Sequence, residues 1–280
     1  MTSPSSEVLP IQGEAVEKPQ KNLLSVTLLA GGLLAVGYYA DSTPGRKQFY
    51  FSYLTAWTWA LNLTLGALFW NLIHHVTAAG WSVAHRRLFE NVTRALPVLA
   101  ILSLPILSGL DSIYAWTHSD DLKNGKQIWL SKNFFAARLL FYFVVWTVYA
   151  WLMRRGSVKM DRTGSATERK AILKRLEWWA PSGVLLLGLT STFAAFDLVM
   201  SLNYTWYSTI FGVIFWADGI RGSLALLVLL ILAFRRMDCL RNIITSEHFH
   251  DVGKLIFAMT VFWAYVSFAQ YFLYWYSNMP

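Results

Sequence analysis

The sequence contains little cysteine, little charge and no signal of secretion. Cys239 is the single cysteine in 280 residues, which excludes a disulfide framework, CxxC zinc sites and cysteine-ligated iron-sulfur clusters within the chain. Only 14% of the residues are charged, whereas 55% are hydrophobic and 16% aromatic, a balance unlike that of soluble domains. Acidic residues, including Glu7 and Glu14, precede the first apolar segment, so that segment is not a cleaved signal peptide. These features indicate a polytopic membrane protein.

Seven apolar segments are long enough to cross a bilayer, for which about 20 residues are needed. The segments are residues 23–40, 49–78, 95–116, 133–153, 179–200, 207–234 and 254–277. None has the ten-residue alternation of an outer-membrane barrel, and backbone groups in lipid must be satisfied within the segment. The sequence therefore predicts an all-α membrane protein with about seven transmembrane helices.

The basic residues fall mainly on one side of the predicted membrane. Seventeen of the 24 Lys and Arg residues lie beside one set of segment ends and five beside the other, while Arg138 and Arg221 lie inside spans. Because cytoplasmic loops carry the excess of Lys and Arg, the N-terminus is expected to be cytoplasmic. The net charge of +8 then reflects topology and attraction to anionic membrane lipid. It gives no indication of a nucleic-acid partner.

The chain is expected to form a single membrane domain over residues 23–280. Residues 1–22 are rich in Ser, Pro and Glu and are predicted to be a disordered cytoplasmic tail. Residues 154–178 form the one sizeable soluble segment and carry eight basic residues. The sequence stops directly after the seventh span without a polar extension, so we expect it to end short of its natural terminus.

Ionisable and aromatic residues gather near the predicted outer face. Asp111 and His118 are candidates to accept protons, and Tyr114, Trp116 and Arg138 are candidates to bind a quinol headgroup. Asp197 lies near the outer end of the fifth span. The alternative is that these residues are interfacial, held by water beneath an aromatic belt.

His74 and His75 lie near the cytoplasmic end of the second span. Adjacent helical residues point about 100° apart, so the two cannot easily bind one metal ion. An intramembrane haem would need histidines at matching depths on facing helices, which the sequence does not offer. Two interpretations stay open, an interfacial histidine pair and a point where protons enter or leave. The later cluster from Glu247 to Asp251 is expected to be a solvated loop, and no metal site is predicted.

Asp218 and Arg221 lie in the middle of the sixth span. Charges at such depth cost roughly 2.5–3.5 kcal/mol on insertion scales and usually pair or mark an ion path. The two are three residues apart and share one helix face. They form either an ion pair that locks neighbouring helices, with Gly219 and Gly222 allowing close approach, or a protonatable station on a path across the membrane that includes Asp197.

Three stretches resemble a known family of membrane subunits. They are HDVGKLIFAMTVFWAYVSFAQYFLYWYSNMP, FSYLTAWTWALNLTLGALFWNLIHHVTAAGW and TSTFAAFDLVMSLNYTWYSTIFGVIFW. All three are similar to the NrfD-like, polysulfide-reductase-type subunits of bacterial alternative complex III, and most closely to the second of the two such subunits in that complex. The resemblance extends over most of the chain.

The resemblance implies a ten-helix protein made of two four-helix bundles. Residues 49–200 would form the first bundle, and residues 207–280 an incomplete second one. It also implies residence in the bacterial inner membrane, quinol as substrate and no redox cofactor bound by this chain. Haem c and iron-sulfur clusters would belong to partners, namely multihaem cytochrome c subunits and an iron-sulfur subunit, and a paralogous NrfD-like subunit would complete the assembly.

Three functions remain open on the sequence. The chain contributes quinol binding through Asp111 or His118, or it conducts protons through Asp197, Asp218 and the His74–His75 end. Otherwise it is a scaffold subunit without quinone chemistry, or a secondary transporter.

Overall fold

The computed structural model describes residues 14–119, 125–236 and 244–278, and every regular element in these ranges is a helix. By its contacts the chain divides into two compact units, residues 1–51 and 52–280. The long helices are α1 (Glu14–Ala40), α2 (Lys47–Val76), α8 (Lys132–Arg162), α9 (Ala166–Leu198), α10 (Phe211–Arg236) and α11 (Ser246–Ser277). The short ones are α3 (Arg86–Thr93), α4 (Leu96–Ile101), α5 (Leu104–Ser108), α6 (Leu110–Ile113) and α7 (Lys126–Trp129). Three single 3₁₀ turns cover Pro44–Arg46, Ala115–His118 and Met200–Leu202.

Five helical segments in the described part of the chain are long and apolar enough to cross a membrane. They are Arg86–Ser108, Lys132–Arg162, Ala166–Leu202, Phe211–Arg236 and Ser246–Ser277. The chain is therefore an all-α protein with the helices of a multi-pass membrane protein. These five coincide with the last five of the seven predicted spans.

The boundaries of the predicted segments differ from the structure in several places. The third segment, predicted as one helix over 95–116, begins earlier and is broken into α3, α4, α5 and α6, with Pro97 and Pro105 at the starts of α4 and α5. Proline has no N–H to donate and interrupts the helical hydrogen-bond ladder. The sixth predicted segment corresponds to α10, which begins at Phe211 rather than at residue 207. The segment 154–178, predicted to be soluble, is helical apart from residues 163–165. In the predicted tail, α1 already begins at Glu14, while residues 1–13 lie outside the described residues.

The first two predicted spans are helical but are not among the five. In α1 the apolar part is the shorter stretch Thr27–Ala40. Helix α2 is long enough, but Thr58, Asn62, Thr64 and Asn71 lower its hydropathy. Half of its thirty residues are buried, so protein covers about half of α2.

Helix α2 is held from several directions by its aromatic and amide side chains. The indole N–H of Trp57 donates to the carbonyl oxygen of Leu99 (3.0 Å). On the α10 side, Trp70 donates to the Ile220 carbonyl oxygen (3.0 Å) and Asn62 to the Phe215 carbonyl oxygen (3.1 Å). In each case a side-chain N–H donates to a backbone carbonyl oxygen of a neighbouring helix. Such bonds are favourable where water is excluded.

Glycine allows α2 and α10 to touch along their backbones. A Cβ atom at Gly66 would overlap the carbonyl oxygen of Gly219, and a Cβ at Gly219 would overlap the side chain of Asn62. At Gly222 a Cβ would lie 2.7 Å from Leu63 Cδ2. The close approach predicted for Gly219 and Gly222 is confirmed, and α2 is the helix that approaches.

Helices α8 and α9 form an antiparallel pair joined by a tight turn. Ser165 caps α9 by accepting the Glu168 backbone N–H (3.4 Å), as Ser does at helix starts. Trp146 donates to Thr190 Oγ1 (2.8 Å) across the buried contact. Near the turn, a Cβ at Gly156 would lie 2.5 Å from Leu176 Cδ2, so the two helices are in close contact there as well.

In the first unit, a turn between α1 and α2 is closed by Asp41. Its carboxylate accepts from the side chain of Thr43 (2.6 Å) and from the Phe49 backbone N–H (2.8 Å), and these bonds hold the pKa of Asp41 below its usual value. Gly45 adopts φ 67°, which glycine permits without a steric penalty. Arg46 lies over the ring of Tyr38 and donates to its hydroxyl (2.7 Å).

We expect Gly66→Ala to destabilise the protein by about 2 kcal/mol, because the backbone of α10 cannot yield to the new methyl group. The matched control is Gly188→Ala in α9, where nothing lies within 4 Å of a Cβ. That control should be neutral or slightly stabilising, since alanine favours helix. Thermal unfolding of the purified protein in detergent measures both changes. Equal midpoints for the two variants would contradict the close α2–α10 contact.

Candidate functional site

A buried ion pair joins α8 to α9 at the end of the bundle where α8 begins. The guanidinium of Arg138 donates from Nε to Asp197 Oδ2 and from Nη2 to Oδ1, both at 2.8 Å. The Arg138 and Asp197 side chains are 7% and 3% exposed. Tyr142, one turn further along α8, donates its hydroxyl to Asp197 Oδ2 (2.9 Å). The indole of Trp129 donates to Oδ1 (3.0 Å).

The surroundings of Arg138 complete this network. Its Nη1 donates to the Trp129 carbonyl oxygen (2.8 Å). The guanidinium carbon lies 4.1 Å from the Trp129 ring centre and 4.5 Å from that of Phe134. A buried ion pair is tolerated only when its remaining hydrogen-bonding groups are satisfied, and Asp197 here accepts four donors. Two residues predicted for different roles, quinol binding and proton transfer, therefore form one unit.

An aromatic slot lies beside this ion pair. It is a cavity of about 250 Å³. Its walls are Gly125, Lys126, Trp129, Leu130, Phe196, Met200, Ser201, Tyr204, Trp206 and Tyr207. Trp129 is a wall of the slot and a donor to Asp197, while Lys126 bonds the Tyr204 carbonyl oxygen (2.9 Å). A flat, mostly apolar cavity with one ammonium group and a charged network behind its wall has the character of a small-ligand site.

Sequence analysis did not find the slot residues. The motif TSTFAAFDLVMSLNYTWYSTIFGVIFW contains Tyr204, Trp206 and Tyr207, but their chemistry is no different from that of an aromatic belt. Lys126 and Trp129 lie on the four-residue helix α7, far in sequence from that motif. Only the fold brings the two stretches together.

Asp111 and His118 lie at the surface, apart from the ion pair. Lys132 Nζ is 2.6 Å from Asp111 Oδ1, and both side chains are about half exposed. Asp111 lies beyond Ser108, where the candidate span ends, and its hydrogen bond with Lys132 keeps the pKa of Asp111 below its usual value. The His118 ring nitrogen Nε2 lies 3.0 Å from the Asp111 carbonyl oxygen.

Tyr114 and Trp116 belong to the packed interior instead. Their rings are 5.5 Å apart, and the ring of Phe135 lies 5.6 Å from Tyr114. The hydroxyl of Tyr114 donates to the Leu198 carbonyl oxygen (3.0 Å). Both side chains are buried, so in this conformation they support the fold at this end of the bundle rather than facing an open cavity.

At the opposite, basic end of the bundle, a polar cluster surrounds His74. Its Nδ1 lies 2.5 Å from Ser82 Oγ, and its Nε2 lies 3.1 Å from Arg86 Nη1. Since Arg86 can only donate, Nε2 of His74 accepts, and the ring proton resides on Nδ1. Arg86, the first residue of α3, also donates to Ser157 Oγ on α8 (3.1 Å). This bond holds the start of α3 against α8.

Glu90 is the anion of this cluster. Its side chain is fully buried, and Arg87 Nη1 donates to its Oε2 (2.7 Å). Arg154 lies 3.9 Å away. Arg86 Nε is 3.2 Å from Oε1, but the two atoms are not aligned for a hydrogen bond. Arg87 also contacts Asp161, so three arginines share two carboxylates.

His75 and His85 are buried next to this cluster. Neither Nδ1 nor Nε2 of either ring has a hydrogen-bond partner among the described residues. A cavity of about 580 Å³ opens beside His75 and His74. Its wall consists of His74, His75, Ala78, Ala79, Gly80, Val83, Arg86, Met160, Asp161, Arg169, Leu173 and Glu177. His74 and His75, predicted to be either an interfacial pair or a point where protons enter or leave, both line this cavity. Within the described ranges, no group of three His, Cys, Asp or Glu side chains could hold a metal ion.

Asp218 and Arg221 form the expected ion pair within α10, at 2.5 Å. The Arg221 guanidinium lies 4.4 Å from the ring centre of Trp263 on α11. Asn62 of α2 is 3.5 Å from Asp218 Oδ2. The side chains of Asp218 and Arg221 are 43% and 30% exposed, so the pair lies at the edge of the described bundle. In sequence the pair is separate from the Arg138–Asp197 ion pair and from the polar cluster around His74.

No protein-family model matches the chain, and a search of curated proteins finds no match either.

We expect Arg138→Met to cost about 3–5 kcal/mol, because it leaves the Asp197 carboxylate buried without its counter-ion. The matched control is Lys132→Met, which removes a cation from the half-exposed pair with Asp111 and should cost less than about 1 kcal/mol. Unfolding free energies in detergent compare the two variants. Similar losses would show that the Arg138 pair is not buried as described.

A second prediction concerns acid stability. His85 lies in the loop before Arg86, and burial, followed by the nearby His248, lowers its pKa to about 4. Below pH 6.5 the unfolded chain binds a proton at this ring while the folded chain does not, so stability should fall by about 2 kcal/mol between pH 7 and pH 5. His85→Phe should remove that part of the loss, whereas His250→Phe, at an exposed site, should retain it. Denaturation curves at both pH values test this, and an unchanged slope in His85→Phe would refute it.

Proposed function

We propose that this chain is a membrane subunit of a respiratory quinol-oxidising complex of the bacterial inner membrane, in which it conducts protons along α2. The resemblance to NrfD-like subunits supports the complex, and the interior of the bundle supports the role. In that complex the chain binds no redox cofactor. Haem c and iron-sulfur clusters are carried by a multihaem cytochrome c subunit and an iron-sulfur subunit, and a paralogous NrfD-like subunit lies beside them.

The observation that carries the proposal is a polar stripe on α2, formed by Thr64, Asn71 and His75. These residues are spaced seven and four apart, which places them on one face over roughly 16 Å of helix. All three are buried. Within the described chain, neither polar atom of the Asn71 amide has a partner, and neither ring nitrogen of His75 has one.

Unpartnered polar groups are rare in protein interiors and are normally satisfied by bound water. The stripe begins at the cavity of about 580 Å³ at the basic end, from which water can reach His75. An imidazole with both nitrogens free can accept a proton on one and release it from the other. A hydrated stripe of this kind is what proton transfer needs, whereas a scaffold needs none of it.

The aromatic slot gives a second candidate role, binding of the quinol headgroup. Lys126 offers a donor, Trp129 a stacking surface, and the ion pair of Arg138 with Asp197 lies directly behind Trp129. Placing the headgroup here moves the predicted quinol site away from Asp111 and His118, which face outward.

One assay tests both roles, using the assembled complex reconstituted in vesicles with quinol as donor and cytochrome c as acceptor. Asn71→Leu should lower the number of protons moved per electron and leave quinol turnover intact, because it removes the polar group but keeps the branched shape of the side chain. Leu68→Met, an apolar exchange on the same face of α2 between Thr64 and Asn71, is the control. An unchanged ratio in Asn71→Leu would overturn proton conduction along α2.

The same assay tests the slot through Lys126→Gln, for which the KM for quinol should rise roughly fivefold, the effect of losing one hydrogen bond of about 1 kcal/mol. Lys132→Gln, outside the slot, should leave the KM unchanged. If Asp111→Asn slows turnover while Lys126→Gln does not, the quinol site is at Asp111 and not in the slot.

A further inference from the structure

A second hollow lies between α8 and α9 at the basic end, apart from the His74 cluster and from the aromatic slot. It is a cavity of about 290 Å³. Its floor is apolar, formed by Leu152, Gly156, Ile172 and Leu176. Gly156 is in close contact with Leu176, so the two helices touch at this point of the floor.

Three cations stand at the rim of this hollow, Arg155, Lys159 and Arg175. Among the residues that the structure describes, neither Arg155 nor Arg175 has a carboxylate within ion-pair distance. Lys159 is 3.6 Å from Glu168, but both side chains are largely exposed, so water weakens that pair. The rim therefore carries positive charge that the described residues neutralise only in part, through Glu168.

The hollow continues on the other side of α8. A shallower cavity of about 430 Å³ is lined by Trp151, Arg154, Arg155, Val158, Lys159 and Arg162. Arg155 and Lys159 thus line both cavities. The first cavity also has Arg175, and the second also has Arg154 and Arg162.

Tryptophans mark the depth of the site. Trp151 and Trp178 are 53% and 72% exposed, and Trp179 forms a wall of the first hollow. The Arg155 guanidinium lies 4.8 Å from the ring centre of Trp151. Tryptophan prefers the level of the lipid headgroups. Arg155 and Arg175 each lie about one helical turn, roughly 6 Å, further toward water than Trp151 and Trp179. The two guanidinium groups are therefore within reach of lipid phosphates, and the tryptophans with Leu152 form the side of the hollow nearest the acyl chains.

We propose that this surface binds an anionic phospholipid, with its phosphate on Arg155, Lys159 and Arg175 and its glycerol and acyl chains on the apolar floor. Basic pockets between membrane helices bind such headgroups. A free phosphate ion would use the cations but not the floor or the tryptophans. A lipid with a diphosphatidylglycerol headgroup matches the surface best, because each of its phosphates can occupy one of the two hollows that share Arg155 and Lys159.

The test is native mass spectrometry of the purified chain in detergent, titrated with diphosphatidylglycerol or with phosphatidylcholine. The wild-type chain should retain the anionic lipid and not the zwitterionic one. Arg155→Gln combined with Arg175→Gln should weaken retention at least tenfold, given about 1 kcal/mol for each basic residue near the surface. Equal retention of the two lipids by the wild-type chain would overturn the proposal.

The control is Lys170→Gln combined with Lys174→Gln, which removes the same charge from α9 at positions that do not line the hollow. It should bind like the wild-type chain, and a loss equal to that of the arginine variant would reduce the effect to net charge and overturn the site. Millimolar inorganic phosphate should not displace the lipid, since displacement would identify a simple anion site instead. Helix content of each variant by circular dichroism shows that it is folded. The comparison of lipids on the wild-type chain needs no variant.

Discussion

The structure depends on how a polar helix is accommodated inside an apolar bundle. Helix α2 carries amides, hydroxyls and imidazoles that lipid would reject, so it must be surrounded by protein. Backbone contact at Gly66 and Gly219 brings α10 close enough for Asn62 and Trp70 to bond its carbonyl oxygens. Where such partners exist the polar groups hold helices together. Where they do not, at Asn71 and His75, polar groups are buried without a partner among the described residues.

Electrostatics divides the molecule into two ends that are built differently. At one end a single arginine and a single aspartate neutralise each other, and each guanidinium nitrogen of Arg138 donates a hydrogen bond. At the other, three arginines share Glu90 and Asp161, and among the described residues Arg155 and Arg175 have no carboxylate within ion-pair distance. The first arrangement fixes a structure beside the aromatic slot. The second leaves a positive surface that attracts anions from outside the chain, which is consistent with a membrane face rich in anionic lipid.

Composition and hydropathy were sufficient to predict an all-α membrane protein and the positions of α8, α9, α10 and α11, because these depend on local chemistry. The Asp218–Arg221 pair was also predictable, since its members are one turn apart. Arg138 and Asp197 are 59 residues apart, and nothing local distinguishes this pair from any other arginine and aspartate. The aromatic slot was missed for the same reason. Helix α2 was correctly predicted as a helix, but hydropathy alone could not show that protein covers about half of it.

The glycine contact between α2 and α10 also has a mechanical consequence. With no side chain between the two backbones, neither helix can rotate without driving a Cβ atom into its neighbour, and the bonds from Trp70 and Asn62 resist sliding. The two helices are therefore expected to move together as one rigid body. The hydrogen-bond ladder is interrupted instead in the proline-broken segment from α3 to α5, where bending meets less resistance.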